Sequence, residues 1–179
     1  SLPKTIAPDS KEEEFPKAKA LGLYDYLRKS GSNGFVLSIS GGADSGTCAV
    51  LVAEMVRRGI NELGKTEFLA RINKSELENK SELEIVGAIL TTAYQATENS
   101  SQTTLNAARN LAKSIGATFH QWNVDAQVNG YVSIIEKTLG QKLNWESHDL
   151  ALQNIQARSR SPIIWMLANL KNSVLLTTS

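Results

Sequence analysis

The chain has 179 residues, of which 41% are hydrophobic and 21% are charged, and its net charge is +1. This length is typical of one domain that buries a core, and the balanced charge excludes the broad basic field of a nucleic-acid-binding protein. The single cysteine excludes an internal disulfide and a cysteine-built metal site, and no apolar run reaches the roughly 20 residues that a membrane span needs.

The N-terminal segment predicts an arm and then a helix. Residues 1–14 are polar and are expected to form an arm or linker ahead of a domain over residues 15–179. The apolar positions that follow recur at helical spacing and predict a helix over residues 15–31. A start near Ser10 is the alternative, but it places Pro16 inside the helix, which disfavours it.

A strand, a glycine-rich loop and a second helix are predicted next. Residues 35–39 form a short apolar run, which is typical of a buried strand. Residues 40–46 read as a tight polar loop, and residues 47–58 predict a helix that ends at Gly59. The segment 60–84 is rich in Glu, Lys and Asn, is long for a connection, and has no evident role.

The rest of the chain alternates strands with helices. The predicted elements are a strand over 85–90, a helix over 101–115, a strand over 118–124, a helix over 128–139, a helical region over 147–170 that breaks before Pro162, and a strand over 174–176. This alternation predicts an α/β fold, with an open parallel sheet and helices on both faces. Ligands bind such sheets beyond the carboxyl ends of the strands, where the strand order reverses. The loop 40–46 and residues 177–179 lie at two such ends.

The loop over residues 40–46 has the composition of a phosphate site. Gly41 and Gly42 let the backbone approach a ligand closely, and the following helix presents free N–H groups and its positive dipole end. Two serines of the loop add hydroxyl donors. Asp44 adds a hard oxygen ligand, which beside phosphates indicates Mg²⁺. The alternative is a Ser/Gly turn in which Asp44 is only the helix N-cap.

Three stretches of sequence resemble known families. Ser-Gly-Gly-Ala-Asp-Ser after a strand resembles the pyrophosphate loop of the N-type ATP pyrophosphatases, which share an adenine-nucleotide α-hydrolase-like fold. Residues 154–160, Asn-Ile-Gln-Ala-Arg-Ser-Arg, resemble the Asn-x-x-Ala-Arg-x-Arg segment of the NAD synthases within that superfamily. The helix over residues 22–29 is more similar to the glutamine-dependent branch, in which a glutaminase domain precedes this one.

The resemblance implies a ligase that amidates deamido-NAD to NAD through an adenylated intermediate, with ammonia or glutamine as the nitrogen donor. ATP and Mg²⁺ are the implied cofactors, and Asp44 is the implied metal ligand and catalytic residue. The implied ATP-binding residues are Ser38, Ile39, Ser40, Gly41, Gly42, Ala43, Asp44, Ser45 and Thr178. A cytoplasmic homo-oligomer is expected, with no nucleic-acid or membrane partner.

Asn154 and Arg158 are implied to bind deamido-NAD. They lie four residues apart and so share a helix face, and the arginine fork suits phosphate or carboxylate groups. An exposed basic face with ordinary ion pairs is the alternative for this pair. Arg160 lies on a different face and is expected to be structural. Thr91 and Thr92 are placed at the end of the second strand, where they are candidates for contact with adenine or ribose.

Two departures from the family pattern bear on activity. The segment 60–84 is longer than usual, and the chain stops at Ser179, before a family segment that carries a Mg²⁺-binding Glu and further substrate residues. The chain by itself is therefore expected to be C-terminally truncated and inactive. Two other functions stay open: a different N-type ATP pyrophosphatase that acts on tRNA, and a non-catalytic nucleotide-binding module. The lone Cys48 disfavours the tRNA enzyme, which usually has active-site cysteines.

Overall fold

The computed structural model describes residues 11–178, with side chains from residue 14 onward. Its helices are α1 (Lys11–Ser30), α2 (Ala43–Leu63), α3 (Lys65–Arg71), α4 (Glu82–Ile89), α5 (Gln102–Ile115), α6 (Asp125–Leu139), α7 (Trp145–Ser159) and α8 (Ser161–Leu170). Its strands are β1 (Phe35–Ser38), β2 (Leu90–Ala96), β3 (Thr118–Asn123) and β4 (Val174–Leu176). A single 3₁₀ turn, Ser75–Leu77, lies between α3 and α4.

The four strands form one parallel sheet in the order β3-β2-β1-β4. Ser38 of β1 lies opposite Ala93 of β2, and Leu37 lies opposite Leu176 of β4. The chain places β2 and β3 on one side of β1 and then crosses to the other side for β4, so the strand order reverses at β1. The predicted α/β fold with an open parallel sheet is confirmed.

Helices cover both faces of the sheet, and the alternation of side chains along β1 decides what each face contacts. Leu37 and Ile39 belong to the larger core, which α1, α2, α4 and α5 complete. Val36 points the other way, into a smaller cluster with Ile164 and Ala168 of α8. Ser38, two residues beyond Val36, belongs by the same alternation to the α8 face.

The second strand lies later in the chain than predicted. Residues 85–89 end helix α4, which starts with a capping box in which the Ser81 hydroxyl accepts the Glu84 N–H at 3.3 Å and the Glu84 carboxylate accepts the Ser81 N–H at 2.8 Å. A short run of Ile, Val and Leu fits either a buried strand or a buried helix, and here the cap selects the helix.

Because the second strand starts later than predicted, Thr91 and Thr92 lie at its beginning rather than at its end. Thr91 and Thr92 pair with Val36 and Leu37 near the start of β2, where they are 1% and 0% exposed. They do not lie at the carboxyl end, where contact with adenine or ribose was expected. Tyr94 and Gln95 occupy that end instead.

Helix α2 is longer than predicted at both ends, and Gly59 lies inside it. The ring of Phe68, on α3, packs on this glycine so closely that a Cβ there would lie 2.3 Å from the ring. Phe68 and Leu69 are 0% exposed and Ile72 is 3% exposed. The segment 60–84 therefore has a structural role, because its few apolar side chains extend the core beneath α1 and α2.

Helix α1 starts at Lys11 rather than near Phe15, so Pro16 lies inside it, as the alternative start required. Pro16 removes one main-chain hydrogen bond near the start of the helix, where residues 14–19 are exposed or half-buried. Of the predicted arm, residues 1–10 lie outside the described residues and residues 11–14 are helical. The other predicted elements are confirmed with small shifts at their ends. Among residues 11–178, no helix is long and apolar enough to cross a membrane.

Candidate active site

A polar cleft opens beyond the carboxyl ends of β1 and β2, next to the point where the strand order reverses. Its volume is about 320 Å³, and its lining comprises Ser38, Ile39, Ser40, Tyr94, Gln95, Asn99, Ser100, Ser101, Thr104 and Arg160. A larger groove of about 680 Å³ lies between α1, α2 and β4, but its lining is mostly apolar. The chemistry of the lining, rather than the volume, therefore selects the cleft as the candidate site.

The loop after β1 is closed by its own two serines. The Ser40 N–H donates to the Ser45 hydroxyl oxygen at 3.2 Å, and the two hydroxyl oxygens lie 3.0 Å apart. The Gly42 N–H donates to the Ser40 hydroxyl at 3.2 Å, and the Ser45 hydroxyl donates to the Gly42 carbonyl at 3.3 Å. Ser45 is 3% exposed. Its hydroxyl therefore shapes the loop, while the exposed Ser40 faces the cleft.

Gly41 fixes the loop against the neighbouring helix. Its φ is 82°, in the left-handed region, and a Cβ there would lie 2.3 Å from the Thr104 main-chain oxygen in the first turn of α5. Gly42 is the N-cap of α2 and has an extended conformation, and no side chain caps the helix. The N–H groups of the first turn of α2 are thus available to an anion at the positive end of the helix dipole.

Asp44 is the second residue of α2, so the alternative in which it is the N-cap is wrong. Its carboxylate is exposed and makes no hydrogen bond or ion pair within residues 14–178. One turn along the helix, burial raises the pKa of the Cys48 thiol, and the charge of Asp44 raises it further. A raised pKa keeps the thiol protonated, which disfavours a nucleophilic role for this half-buried cysteine.

The β2 side of the cleft carries two ordered polar side chains. The Tyr94 hydroxyl lies 2.7 Å from the Thr104 hydroxyl oxygen, and the Gln95 amide nitrogen donates to the Ser38 hydroxyl at 3.0 Å. Gln95 is 5% exposed, yet its amide oxygen has no hydrogen-bond partner. A buried polar atom without a partner costs free energy, which a ligand with a complementary group recovers.

The structure places Arg160 in the cleft. It connects α7 to α8, is half-buried, and its Nε donates to the Gln95 carbonyl oxygen at 3.1 Å. The expected structural role is therefore present in this contact, but the rest of the guanidinium lies among the polar groups that line the cleft.

The other predicted site residues do not line this cleft. Asn154 and Arg158 are exposed on α7, and neither side chain makes a hydrogen bond or ion pair with the rest of residues 14–178. The alternative was that Arg158 forms ordinary ion pairs, and no acidic partner for it lies within residues 14–178. Thr178 is exposed just beyond β4, on the other side of β1 from the cleft.

Sequence reasoning missed seven lining residues, which are Tyr94, Gln95, Asn99, Ser100, Ser101, Thr104 and Arg160. Tyr94 and Gln95 were missed because the second strand was predicted too early in the chain, so that Thr91 and Thr92 followed its end. The capping-box pair Ser81 and Glu84 was the available signal, since a helix that begins there moves the strand to Leu90. For Arg160 the sequence contains no such signal, because the orientation of its side chain depends on the break between α7 and α8.

Comparison with known proteins gives a consistent family. The family model for NAD synthase matches residues 17–179. The glutamine-dependent NAD(+) synthetase of Homo sapiens is 36% identical over 174 residues, which cover 90% of this chain and 24% of that protein. The crystal structure of a glutamine-dependent NAD(+) synthetase from Cytophaga hutchinsonii is 50% identical, with a TM-score of 0.90 over 95% of this chain and 31% of that chain.

A more distant structure shares the fold. The glutamine-dependent NAD+ synthetase of Acinetobacter baumannii, solved in complex with ADP, is 18% identical, with a TM-score of 0.67 over 98% of this chain and 27% of that chain. The chain thus spans about a quarter of the length of the human protein and under a third of the two solved chains.

Proposed function

The chain belongs to the NAD synthase family, and from that premise we propose that the protein amidates deamido-NAD to NAD with ATP and ammonia. The observation that carries the proposal is the loop over residues 40–45. It is closed by its own serines and presents the uncapped start of α2 where the strand order reverses. This geometry suits the phosphates of a nucleoside triphosphate.

The chemical problem is that a carboxylate is a poor acylating agent until it gains a leaving group. In the first step, a carboxylate oxygen of deamido-NAD attacks the α-phosphorus of ATP, the bond to the bridging oxygen breaks, and pyrophosphate leaves. In the second step, ammonia attacks the acyl carbon, AMP leaves with the original carboxylate oxygen, and the nitrogen loses a proton. The first attack needs no general base, because the carboxylate is already ionised at neutral pH.

The protein's contribution is positioning and charge stabilisation. In this proposal the loop amides and the first turn of α2 hold phosphate oxygens. The full ATP-binding set is Ser38, Ile39, Ser40, Gly41, Gly42, Ala43, Asp44, Ser45 and Thr178. Asn154 and Arg158 bind deamido-NAD through an exposed face of α7, which is free of competing ion pairs in the described residues.

Asp44 is the proposed Mg²⁺ ligand. Its carboxylate is exposed and unpaired at the first turn of α2, beside the proposed phosphate site. Within residues 14–178 no cluster of three or more His, Cys, Asp or Glu could hold a metal ion. A single carboxylate is compatible with Mg²⁺, which commonly takes its other ligands from phosphates and water. When bound, the ion neutralises charge on the phosphates.

The setting of this activity is also proposed. The human and Cytophaga relatives are glutamine-dependent, which supports glutamine as the ammonia source and a glutaminase domain upstream. Tyr131, Ile134, Ile135 and Leu139 of α6 are exposed, which supports a homo-oligomer. A cytoplasmic location remains a proposal of the same kind, as does the division into an N-terminal arm and a domain, with the boundary moved ahead of Lys11 because residues 11–14 belong to α1.

Isotope exchange in the full-length protein tests the proposed chemistry. Without ammonia, labelled pyrophosphate should enter ATP only when deamido-NAD is present, because the adenylation step is reversible. With ammonium added, NAD, AMP and pyrophosphate should form in equal amounts. Deamido-NAD labelled with ¹⁸O in its carboxylate should transfer one ¹⁸O atom to AMP.

The same assay separates the rival functions. Exchange that needs tRNA rather than deamido-NAD would identify a tRNA-modifying enzyme. Binding of ATP without any exchange would identify a nucleotide-binding module. Either result contradicts the proposed function.

A further inference from the structure

Three residues on the α8 side of the sheet line the cleft together with the start of the glycine-rich loop. They are Ser38 at the end of β1, Gln95 at the end of β2, and Arg160 between α7 and α8. The Gln95 amide nitrogen donates to the Ser38 hydroxyl at 3.0 Å, and the Arg160 Nε donates to the Gln95 main-chain oxygen at 3.1 Å. The cluster is therefore ordered before any ligand binds.

Arg160 is a fixed cation without a counter-ion in the described chain. It is half-buried, and no carboxylate within residues 14–178 forms an ion pair with it. Its one hydrogen bond holds the guanidinium in place through Nε and leaves both Nη groups as donors. A partly buried cation without a counter-ion is costly, so such a group favours an anionic ligand.

Gln95 gives an independent sign of a ligand. The residue is 5% exposed, and its buried amide oxygen has no hydrogen-bond partner within the described residues. The nitrogen and oxygen of an amide exchange places on a half-turn, and the Ser38 hydroxyl pairs with either atom. Turned over, the amide accepts from Ser38 and leaves its N–H₂ group as a donor without a partner, on a residue that lines the cleft together with Arg160.

We propose that Arg160 and the Gln95 amide form an anion subsite that holds a phosphate group of the bound nucleotide. This inference rests on the proposed function, because it assumes that a nucleoside triphosphate enters the cleft. The loop then supplies donors from the α2 side of β1 and the subsite supplies donors from the α8 side. Two sets of donors on opposite sides fix the orientation of the polyphosphate, which one set alone leaves free to rotate.

Calorimetric titration of the full-length protein tests the subsite with ATP and with tripolyphosphate, which carries phosphates without a nucleoside. Arg160→Gln should weaken both ligands by about 10- to 150-fold, as expected for a lost charged hydrogen bond. Arg160→Lys keeps the charge and should retain part of the affinity. Arg109→Gln is the control, because Arg109 is exposed on α5 and bonds Gln121 at 2.9 Å outside the cleft.

Gln95→Glu distinguishes an anion subsite from an amide that accepts a hydrogen bond from the base. A carboxylate still accepts such a bond, but it repels phosphate and pairs with Arg160. We expect ATP and tripolyphosphate to bind at least about tenfold more weakly to this variant, with the melting temperature of the ligand-free protein close to that of the wild type.

Several results would overturn the subsite. One such result is an equal affinity of Arg160→Gln and the wild type for ATP. Another is an equal loss of ATP affinity in Arg160→Gln and Arg160→Lys, because it would mean that the contact to Gln95 matters and the charge does not. Weaker deamido-NAD with unchanged ATP would assign the residue to the other substrate. Failure of the wild-type protein to bind ATP would instead refute the proposed function itself.

Discussion

The Ser40 N–H and the Ser45 hydroxyl, five positions apart, are joined by a hydrogen bond of 3.2 Å that closes the loop between β1 and α2. The two hydroxyl oxygens lie 3.0 Å apart, which adds a second link. The loop therefore keeps its shape without a ligand. Such preorganisation matters because a site that is already arranged does not have to be ordered when phosphate binds.

Ser45→Ala should open this loop. The change leaves the Ser40 N–H without its acceptor in a region where Ser45 is 3% exposed, which should cost about 1–3 kcal/mol of unfolding free energy. ATP should bind more weakly, because the loop amides lose their fixed positions. Urea unfolding and calorimetry measure the two effects. Thr47→Ala is the matched control: its hydroxyl only bonds the Ala43 carbonyl of the same helix on an exposed face, so a similar loss there would contradict the special role of Ser45.

Gly41→Ala should disrupt the contact between the loop and α5. The φ of 82° is strained for alanine, and the new Cβ would lie 2.3 Å from the Thr104 oxygen, so the loop must move. A loss of about 1–3 kcal/mol is expected, together with weaker nucleotide binding. Gly22→Ala is the control within α1, because nothing lies within 4 Å of a Cβ there. It should stabilise the protein by about 0.5–1 kcal/mol. Equal effects of the two changes in thermal unfolding would refute this reading of the loop.

The sequence predicts the sheet better than it predicts the site. The apolar run 35–39, Gly116 and Gly140 after helices, and the break before Pro162 are local signals, and the structure confirms the elements they mark. The misplaced second strand reflects a missed local signal, the capping box of α4, whereas the predicted end of α2 was wrong because a tertiary contact overrides a local signal. Phe68 packs on Gly59, so that this glycine does not end α2.

In the candidate site, too, the local features could be predicted from the sequence and the long-range contacts could not. The loop over residues 40–46 is contiguous in sequence, and its composition alone indicates an anion site. The contact between Arg160 and Gln95 joins positions 65 residues apart. No local pattern encodes such a contact, because it depends on how α8 packs on the sheet.

Asp44→Ala should abolish the proposed adenylation while the fold survives. The carboxylate has no partner within residues 14–178, and the residue is not the helix cap, so the change removes only a charge from the first turn of α2. Loss of that charge should cost no more than about 0.3–1 kcal/mol. Pyrophosphate exchange measured over a range of Mg²⁺ concentrations provides the test. Glu62→Ala, near the far end of the same helix, should leave exchange unchanged, and near-normal exchange in Asp44→Ala at saturating Mg²⁺ would exclude Asp44 as the metal ligand.

The capping box of α4 should give the protein a pH-dependent stability. Donation by the Ser81 N–H and hydroxyl, and by Lys80, lowers the pKa of Glu84 to about 2. In the unfolded chain a glutamate has a pKa of about 4.3, so the unfolded state binds the proton more tightly. The stabilisation is therefore complete above that value and is lost as the pH falls from about 4.3 toward 2.

Glu84→Ala tests this linkage through the free energy of unfolding measured between pH 5 and pH 2. The variant should be less stable than the wild type at neutral pH, and its stability should fall less steeply on acidification. Glu82→Ala removes an exposed carboxylate from the same turn and should keep the wild-type slope. Parallel curves for Glu84→Ala and the wild type would contradict the proposed linkage.

Arg158→Ala should weaken deamido-NAD far more than ATP. Arg158 is exposed on α7, outside the lining of the polar cleft, and has no ion pair within residues 14–178. A lost charged hydrogen bond corresponds to roughly 10- to 150-fold in affinity, and ATP affinity should change little. Asn154→Ala should act on the same ligand, because the two side chains lie one turn apart on one helix face. Gln153→Ala, on an adjacent exposed position of α7, is the control. If Arg158→Ala weakens the binding of ATP and deamido-NAD equally, or of neither, then Arg158 does not bind the dinucleotide. The face of α7 that carries it would then contact something else.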